Sequence, residues 1–418
     1  MGLAVIRMTH GRTESSEIYC DYNATAPLRA SARTQMLAWL GEYTGNPSSV
    51  HAAGQRAAAA VAHAREQLAR LIGAAHHEIV FTSGATESNN LALHAALAGR
   101  PDATLIVTAV EHPAVLEFAQ TRARTAPLVV VGVDRHGQLD TGRLSAALRS
   151  APGAVVSVMA ANNETGVLND LAHIRALTHP FGALLHTDAT QLIGRLPIDV
   201  AALGVDMLSL SAHKFGGPQG TGALYIRRGL PIAVAPLQRG GNQEHGWRSG
   251  TLNVAGIVGL GAAAEDAAVN LPAEITRIRA IRDEFEQRLM DAIGGVFVNG
   301  DTGHRLPGVS SVTFPGLPAQ ALLSAMPDVA ASDGSACASG SLEPSHVLTA
   351  MGYTPDEADS VIRFSFGHAS TPADARGAAE KTREAVKRVH RASAGTTSIS
   401  ETGTSRQAIA PLSTARTS

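Results

Sequence analysis

The sequence of 418 residues contains only two cysteines, Cys20 and Cys337. Two cysteines cannot form a disulfide framework, and they cannot build a zinc site from thiolates alone. The class of small secreted proteins held together by cross-links is therefore excluded. A reducing compartment, the cytoplasm, is the expected location of the protein.

The sequence also lacks long apolar runs and an excess of charge of one sign. No uninterrupted apolar run approaches the roughly 18 residues of a membrane-spanning helix. Residues 1–9 contain no apolar core of a secretory signal, and Ile6 does not fit the myristoylation pattern. Because the net charge is −2 and no basic block is present, neither nucleic acid nor a membrane is expected as a partner.

Apolar residues are abundant: 44% of the chain is hydrophobic and 17% is charged, which suits a large core and two or three domains. Between residues 78 and 227, short apolar runs alternate with helical patterns. Continuous apolar strands separated by helices predict a buried, largely parallel sheet with right-handed crossovers. The predicted strands are 78–82, 104–110, 128–133, 155–160, 183–187, 206–210 and 223–227.

The pattern changes near residue 270. Apolar residues at helical spacing predict a long helix that ends at Gly294, followed by strands at 296–299, 309–314 and 361–366 and a last helix at 372–391. This order is typical of a smaller α+β domain. The predicted organisation is a loose leader at 1–17, a large domain at 18–270 whose first part can pack with the small domain, a small domain at 271–392, and a disordered tail at 393–418.

A lysine lies in a turn of small residues between two predicted strands, in the segment SLSAHKFGGPQGTG at 209–222. Strand ends at the carboxyl edge of an open α/β sheet are where ligands bind. The amine of Lys214 could form a Schiff base with an aldehyde, as pyridoxal phosphate requires. On this segment alone, an ordinary surface lysine is an equal alternative.

Two earlier strand ends offer groups that suit a phosphorylated, flat cofactor. The segment FTSGATESNN at 81–90 leads from a strand into a helix, whose free N–H groups would make a phosphate cradle. His112 follows the next strand and could stack on a ring and move protons. The alternatives are an ordinary helix cap by Ser83 or Thr86, and a loop histidine.

The two following strand ends carry amides and a carboxylate. Asn162 and Asn163 could donate hydrogen bonds to a ring hydroxyl, and Asp188 could pair with a protonated pyridine nitrogen. A turn and a helix cap are the alternatives for these two positions. Each signal is weak alone, but a phosphate cradle, a histidine, an amide, a carboxylate and a lysine on successive strand ends together predict a cofactor site.

Two residues of the small domain also suggest chemistry. Cys337 lies among Ser, Ala and Gly in the loop SDGSACASGSLEP at 332–344, which suits a nucleophile that reaches a substrate and then carries a product away. The alternative is a small buried cysteine. Arg363 interrupts the apolar run VIRFSFG, where it would grip an α-carboxylate or pair with an internal acid.

These motifs together resemble the cysteine desulfurases of the NifS/IscS-like branch, within the class V aminotransferase group of fold type I pyridoxal phosphate enzymes. The match runs from about residue 19 to about residue 391. It implies an α/β fold with a large, mainly parallel seven-stranded sheet domain and a smaller α+β C-terminal domain. The motifs are DYNATAPL, GNPSSVH, FTSGATESNN, EHPAV, NNETGV, DATQLIGRLPIDV, SAHKFGGPQGTGALY, RSGTLN and GSACASGSLEP.

The resemblance also implies residue roles. Lys214 would form the Schiff base with pyridoxal 5'-phosphate, His112 would stack on its ring, and Cys337 would take the sulfur as a persulfide. Arg363 would bind the carboxylate of the substrate. The remaining implied cofactor contacts are Ala85, Thr86, Ser211 and His213 at the phosphate, Asn163 and Gln191 at the ring oxygen, Asp188 at the pyridine nitrogen, and Thr251 at the phosphate of the neighbouring subunit of a homodimer.

The implied activity converts L-cysteine to L-alanine and passes sulfur to an acceptor, either an iron–sulfur cluster scaffold or a tRNA thiolation route. No resident metal is implied, although Cys337 could transiently ligate an iron–sulfur cluster on a partner. A selenocysteine lyase or another class V lyase, and a non-catalytic sulfur carrier or scaffold-binding protein, are the alternatives. The chain departs from the family pattern at Asn242, Arg195 and Gln219, which bears on the branch and the partner rather than on the reaction.

Overall fold

The structure is a computed structural model that describes residues 17–333 and 344–400, with side chains described as far as residue 392. Strands and helices alternate through most of this range. The strands are β1 (Ile18–Tyr19), β2 (Ile79–Thr82), β3 (Leu105–Thr108), β4 (Leu128–Val131), β5 (Val155–Ser157), β6 (Leu184–Asp188), β7 (Met207–Ser211), β8 (Gly222–Ile226), β9 (Phe297–Val298), β10 (Val309–Thr313), β11 (Val329–Ala330) and β12 (Val361–Ser365).

Helices cover both faces of the main sheet and join it to a smaller unit. They are α1 (Ala30–Gly41), α2 (Ala52–Ile72), α3 (Ala85–Ala98), α4 (Pro113–Arg122), α5 (Thr141–Ser150), α6 (Leu171–Thr178), α7 (Val200–Leu203), α8 (Val254–Ala292), α9 (Ala319–Ala325), α10 (His346–Ala350), α11 (Pro355–Asp359) and α12 (Pro372–Ser400).

The seven strands predicted between residues 78 and 227 all form one sheet, in the order β2-β8-β7-β6-β5-β3-β4. The five strands from β7 to β4 are parallel, and β8 runs antiparallel to both of its neighbours. Every residue of β6, β7 and β8 is buried, which explains why neighbouring apolar residues point to both faces of these strands. The predicted mainly parallel sheet is confirmed, and its carboxyl ends share one edge.

Helix α8 has 39 residues and continues across the boundary predicted at residue 270, with Pro272 inside it. Its first half packs against α1 and α2, and its second half contributes Ile278, Ile281 and Phe285 to the core of the small unit. By length and composition alone α8 could cross a membrane, but 61% of its apolar window is buried inside the protein. Helix α8 is therefore a core helix that the central-sheet unit and the small unit share.

The small unit is built on the antiparallel sheet β12-β10-β9, which matches the three strands predicted after residue 295. The rings of Phe285 and Phe364 lie 4.6 Å apart in its core. Strand β1 pairs in parallel with β11 through Ile18 and Val329, so the start of the described chain lies on this unit. Cys20 follows β1 and is completely buried in the same apolar cluster.

The last helix is longer than the sequence predicts. Helix α12 continues to Ser400, whereas a helix ending near Arg391 and disorder from Ser393 were expected. Helix α12 thus covers residues 393–400 of the predicted tail, because a helix that is already packed on α8 and α9 can extend into a weakly periodic sequence. The predicted leader, apart from residue 17, and the tail after Ser400 lie outside the described residues.

Candidate active site

A cavity of about 390 Å³ opens at the carboxyl edge of the central sheet. The loops that follow β2, β3, β5, β6 and β7 form its walls, which is the usual place for a ligand in an open α/β sheet. Nine of the residues singled out from the sequence line this one cavity: Ala85, Thr86, His112, Asn163, Asp188, Gln191, Ser211, His213 and Lys214.

One wall of the cavity is the N-terminus of α3. Its N-cap is Gly84, and no side chain caps the first turn, so the alternative of a cap by Ser83 or Thr86 is excluded. A Cβ atom on Gly222 would lie 2.6 Å from the Cα of Gly84, so only a glycine there lets β8 approach the start of the helix. Uncapped N–H groups and the positive end of the helix dipole suit an anion such as a phosphate.

His112 lies at the start of α4 with its ring in the cavity wall. Its Nδ1 accepts a hydrogen bond from the N–H of Ala114 at 3.1 Å, which leaves the proton of the neutral ring on Nε2. Burial lowers the pKa of His112, and the charge of Lys214 acts in the same direction against that of Asp188. The structure therefore presents a neutral, flat imidazole to the cavity.

The carboxylate of Asp188 is held rigidly at the end of β6. Its Oδ2 accepts a 2.6 Å hydrogen bond from Nδ2 of Asn89, and its Oδ1 accepts one from the N–H of Thr190. Nearby, the Oγ1 of Thr190 and the Oε1 of Gln191 are buried polar atoms without a hydrogen-bond partner among the described residues. Such orphaned atoms at a cavity wall indicate that a polar ligand completes the site.

Lys214 follows β7 after a single 3₁₀ turn, and its amine meets the segment between β1 and α1. The Nζ atom donates hydrogen bonds to the carbonyl of Asn23 at 2.6 Å and to that of Ala24 at 2.7 Å. Arg195, where the family pattern commonly has lysine, donates to the carbonyl oxygens of Tyr22 and Lys214. The lysine is thus anchored from both sides at the edge of the cavity.

Asn23 is a site residue for which the sequence analysis proposed no role. Its carbonyl oxygen also accepts from Nε2 of Gln191, its Nδ2 donates to the carbonyl of Asn163 at 2.8 Å, and its N–H donates to the hydroxyl of Ser365. These partners are far apart in the sequence, so spacing could not reveal them. The available signal for Asn23 was its place in the polar motif DYNATAPL. This motif matched the family pattern, but no role was assigned to its individual residues.

Arg363 lies on β12 beside the cavity and is not one of its lining residues. Its Nη1 donates to the carbonyl of Asn163 at 3.0 Å, and its Nη2 pairs with Oδ1 of Asp21 at 2.8 Å. Arg363 therefore pairs with an internal acid, which is one of the two alternatives that the sequence offered. The contact with Asn163 places the guanidinium next to the proposed cofactor site.

Cys337 lies outside the described residues, but the residues on either side of its loop are tied to the site. Ser332 exchanges backbone hydrogen bonds with Arg363. Ser345 donates a 2.5 Å hydrogen bond to Oε2 of Glu164, and Nε2 of His346 lies 2.9 Å from the carbonyl oxygen of Glu111. Two of these partners, Glu111 and Glu164, adjoin the cavity-lining residues His112 and Asn163 in the chain.

Thr251 is exposed and does not line the cavity of its own chain. It precedes α8, which begins at Val254 after an N-cap by Asn253. Thr251 thus lies at the surface, and the sequence predicts that it contacts the cofactor phosphate of a neighbouring subunit.

The residues present fit pyridoxal phosphate. The uncapped start of α3 suits its phosphate, the carboxylate of Asp188 suits a protonated pyridine nitrogen, and the amine of Lys214 can bond to its aldehyde. The orphaned oxygen of Gln191 offers a further polar contact. One cavity thus combines an anion cradle, a carboxylate, a neutral imidazole and an amine.

Comparison with known proteins agrees with this geometry. The model of the aminotransferase class-V family matches residues 18–377. A cysteine desulfurase of Gluconacetobacter diazotrophicus is 47% identical, over 85% of this chain and 90% of that protein. A cysteine desulfurase IscS of Anaeromyxobacter sp. strain Fw109-5 is 46% identical, over 85% and 88%.

Solved structures give the same result. A NifS-like protein superposes with a TM-score of 0.82 at 33% identity, covering 89% of this chain and 99% of its own. A structure of SspA in complex with cysteine has a TM-score of 0.75 at 33% identity, with 84% and 98% covered.

By fold, site and family model, the chain belongs to the class V aminotransferases. Within that family it falls in the NifS/IscS-like branch, and its activity is that of a cysteine desulfurase that depends on pyridoxal phosphate. Because these relatives are named desulfurases, the alternatives of a selenocysteine lyase and of a non-catalytic carrier are not favoured.

Proposed function

We propose that the chain takes sulfur from L-cysteine onto Cys337 and delivers it to an acceptor protein for iron–sulfur cluster assembly or tRNA thiolation. The observation that carries this proposal is the cavity that unites Lys214, Asp188 and the start of α3, together with Arg363, which contacts the lining residue Asn163 and pairs with Ser332 before the Cys337 loop. Such a site can bind an amino acid and bring a thiol to its side chain.

The cavity residues hold the cofactor and handle protons. Pyridoxal phosphate, when bound, links covalently to an amine and withdraws electrons from the α-carbon of the substrate. We assign its phosphate to Ala85, Thr86, Ser211 and His213, its pyridine nitrogen to Asp188, and its ring oxygen to Asn163 and Gln191. His112 packs against the ring as a neutral imidazole, and Lys214 Nζ is the base that accepts the α-proton.

Arg363 and Cys337 act on the substrate itself. Arg363 binds the carboxylate of L-cysteine, and the Cys337 thiolate attacks its sulfur. The bond between Cβ and sulfur breaks, a sulfur–sulfur bond forms, and Cβ receives a proton. L-Cysteine and the enzyme thiol thereby give L-alanine and the enzyme persulfide, so atoms and electrons balance without another reactant.

A homodimer with shared sites is the proposed assembly. Five exposed large apolar side chains lie between residues 28 and 50 of the sequence, and a subunit interface is what would cover such side chains. They are Leu28, Leu37, Leu40, Tyr43 and Val50, and we call them the α1 patch. Exposed Thr251 then contacts the cofactor phosphate of the partner.

A cytoplasmic location is proposed for the enzyme. Cys20 is a free, buried thiol in the described part of the chain. Unpaired cysteines suit a reducing compartment. The sulfur acceptor is then a cytoplasmic protein, and neither nucleic acid nor a membrane is a proposed partner.

The two cysteines provide a matched test of the nucleophile. Cys337→Ala should retain the cofactor and lose all but a trace of alanine formation from L-cysteine, because no other thiol reaches the substrate. Cys20→Ala should keep most of the activity, since burial raises the pKa of this thiol far above its ordinary value and keeps it inert. Full activity in Cys337→Ala would contradict the proposal.

A further inference from the structure

The buried ion pair between Arg363 and Asp21 has no role in the mechanism proposed above. The Arg363 side chain is 2% exposed and that of Asp21 is 20% exposed, and Nη2 lies 2.8 Å from Oδ1. Asp21 also forms a backbone bridge to Ser365 on the strand that carries Arg363. The pair is therefore built from two segments that the fold fixes side by side.

Both terminal nitrogens of the Arg363 guanidinium already donate a hydrogen bond within the protein. Nη1 donates to the carbonyl of Asn163, and Nη2 is held by Asp21. Only Nε lacks a partner among the described residues. A carboxylate gripped at two points needs two neighbouring N–H groups, so a carboxylate bound through Nε also takes the second N–H of Nη2 and comes to lie beside the carboxylate of Asp21.

We propose that Asp21 is a specificity-determining residue that competes with the substrate carboxylate for Nη2 of Arg363 and so limits the affinity of the site for amino acids. This inference rests on the proposed function, in which Arg363 binds that carboxylate. Asp21 keeps the buried guanidinium paired while the substrate site is empty. Two carboxylates at one guanidinium nitrogen repel each other, so the incoming carboxylate displaces Asp21, and the free energy of the Arg363–Asp21 pair is lost from the binding free energy.

The competition acts on the product as well as on the substrate. L-Alanine keeps the carboxylate of L-cysteine, so the return of Asp21 to Arg363 favours the release of alanine. Interactions that bind the ground state and the transition state equally change KM and leave kcat unaffected. A site without the Asp21 carboxylate should therefore bind both amino acids more tightly, with a lower KM and no gain in kcat.

The test is a calorimetric titration of the Asp21→Asn holoenzyme with L-alanine. We expect binding about tenfold tighter than in the wild type, the order expected for removal of one competing charge at a partly buried pair. Cysteamine, which has the amine and thiol of cysteine without a carboxylate, should bind the two proteins equally. Weaker or unchanged binding of L-alanine would show that Asp21 orients Arg363 or is irrelevant to it, and would overturn the inference.

A second measurement needs no variant at Asp21. In a crystal structure of the wild-type holoenzyme with L-alanine, the carboxylate should occupy Nε and Nη2 of Arg363, and Asp21 should have moved out of hydrogen-bond reach. An Arg363–Asp21 pair still at 2.8 Å would overturn the inference even if Asp21→Asn does not fold.

The variant Arg363→Lys separates this inference from the proposed function. If Arg363 binds the carboxylate, its replacement should weaken L-alanine binding about tenfold or more, because lysine cannot form the two-point contact. Unchanged binding would overturn both proposals. Weakened binding there, together with unchanged binding in Asp21→Asn, would overturn only the role of Asp21.

Discussion

Burial decides the charge of the individual ionisable groups around the site. It lowers the pKa of His213 to about 4, helped by the charges of Lys214 and Arg195, so this imidazole is neutral near pH 7. Burial raises the pKa of Glu164 to about 7 and that of Glu111 to about 8. The walls of the cavity therefore carry less charge than their composition suggests.

Glu111 should make the stability of the protein depend on pH. Its Oε1 accepts hydrogen bonds from Thr108 and Met159, while its Oε2 has no partner among the described residues. The raised pKa means that the folded protein keeps a proton that the unfolded chain has released, so stability falls as the pH rises from about 4.5 to about 8. The pKa values of His213 and His368 are lowered to about 4. These two groups make the stability rise with pH, but only between about 4 and their ordinary value of 6.5.

The comparison of Glu111→Gln with wild type between pH 6.5 and 8 isolates this effect. Over this interval the wild type should lose roughly 2 kcal/mol more stability than the variant, because the amide side chain of the variant cannot ionise. Thermal or denaturant unfolding of the holoenzymes at both pH values measures the difference. Glu117→Gln, the same change at an exposed position of α4, should follow the wild type. If the stability of all three proteins depended equally on pH, the raised pKa of Glu111 would be contradicted.

The sequence was most informative for residues whose roles are local. Asp188 is the last residue of β6, and His112 and Lys214 lie within four residues of the ends of β3 and β7, so the alternating pattern was enough to place them at one edge. Asp21 and Asn23 escaped notice because their partners, Arg363 and Lys214, are separated from them by 342 and 191 residues. A side chain whose partner is that distant leaves no periodic signal.

At the scale of elements, apolar strands were predictable and the helix boundaries were less so. Six of the seven central strands are buried on both faces, which gives a strong signal, and only the edge strand β4 is partly exposed. The two-residue strands β1 and β11 are too short to have a pattern of their own. The continuity of α8 was missed because the apolar pattern changes near residue 270, whereas packing on α1, α2 and α12 supports one helix across Pro272.

Helix α10 should position the Cys337 loop. Its N-cap residue, Ser345, accepts a hydrogen bond from the N–H of Leu348 and donates to Glu164. Ser345→Ala removes both contacts, so we expect a loss of about 1 kcal/mol for the cap. We also expect persulfide formation on Cys337 to be roughly tenfold slower, because the end of its loop is no longer fixed. Rapid-quench alkylation measures this rate.

A matched control is Thr354→Ala, which removes the N-cap of α11 at an exposed site. It should cost similar stability and leave the rate of persulfide formation unchanged. If both variants slowed that rate equally, the effect would reflect general destabilisation, and the positioning role of Ser345 would be wrong.

At the scale of the whole molecule, the α1 patch should control both assembly and cofactor retention. Leu40 is 68% exposed in the isolated chain. We expect Leu40→Asp to break the proposed homodimer into monomers, since a buried unpaired charge is costly. The variant should also retain pyridoxal phosphate poorly, since Thr251 would no longer reach the site of the proposed second subunit. Sedimentation velocity and the bound cofactor per chain give the two readouts.

Two further variants separate the effect on assembly from the effect on cofactor retention. Met290→Asp, at a 46% exposed position near the end of α8 in the small unit, should remain dimeric. Thr251→Ala should also remain dimeric but should lose the cofactor more readily on dialysis. A Leu40→Asp protein that stays dimeric would place the interface elsewhere.

The central claim is that Cys337 carries the sulfur of L-cysteine. The most direct measurement is peptide mass spectrometry of the alkylated holoenzyme after one equivalent of L-cysteine, with L-alanine quantified in the same sample. The account predicts one additional sulfur atom on the Cys337 peptide, none on the Cys20 peptide, and an equal amount of alanine. Alanine formed together with free sulfide while Cys337 remains unmodified, or sulfur found on Cys20, would contradict it.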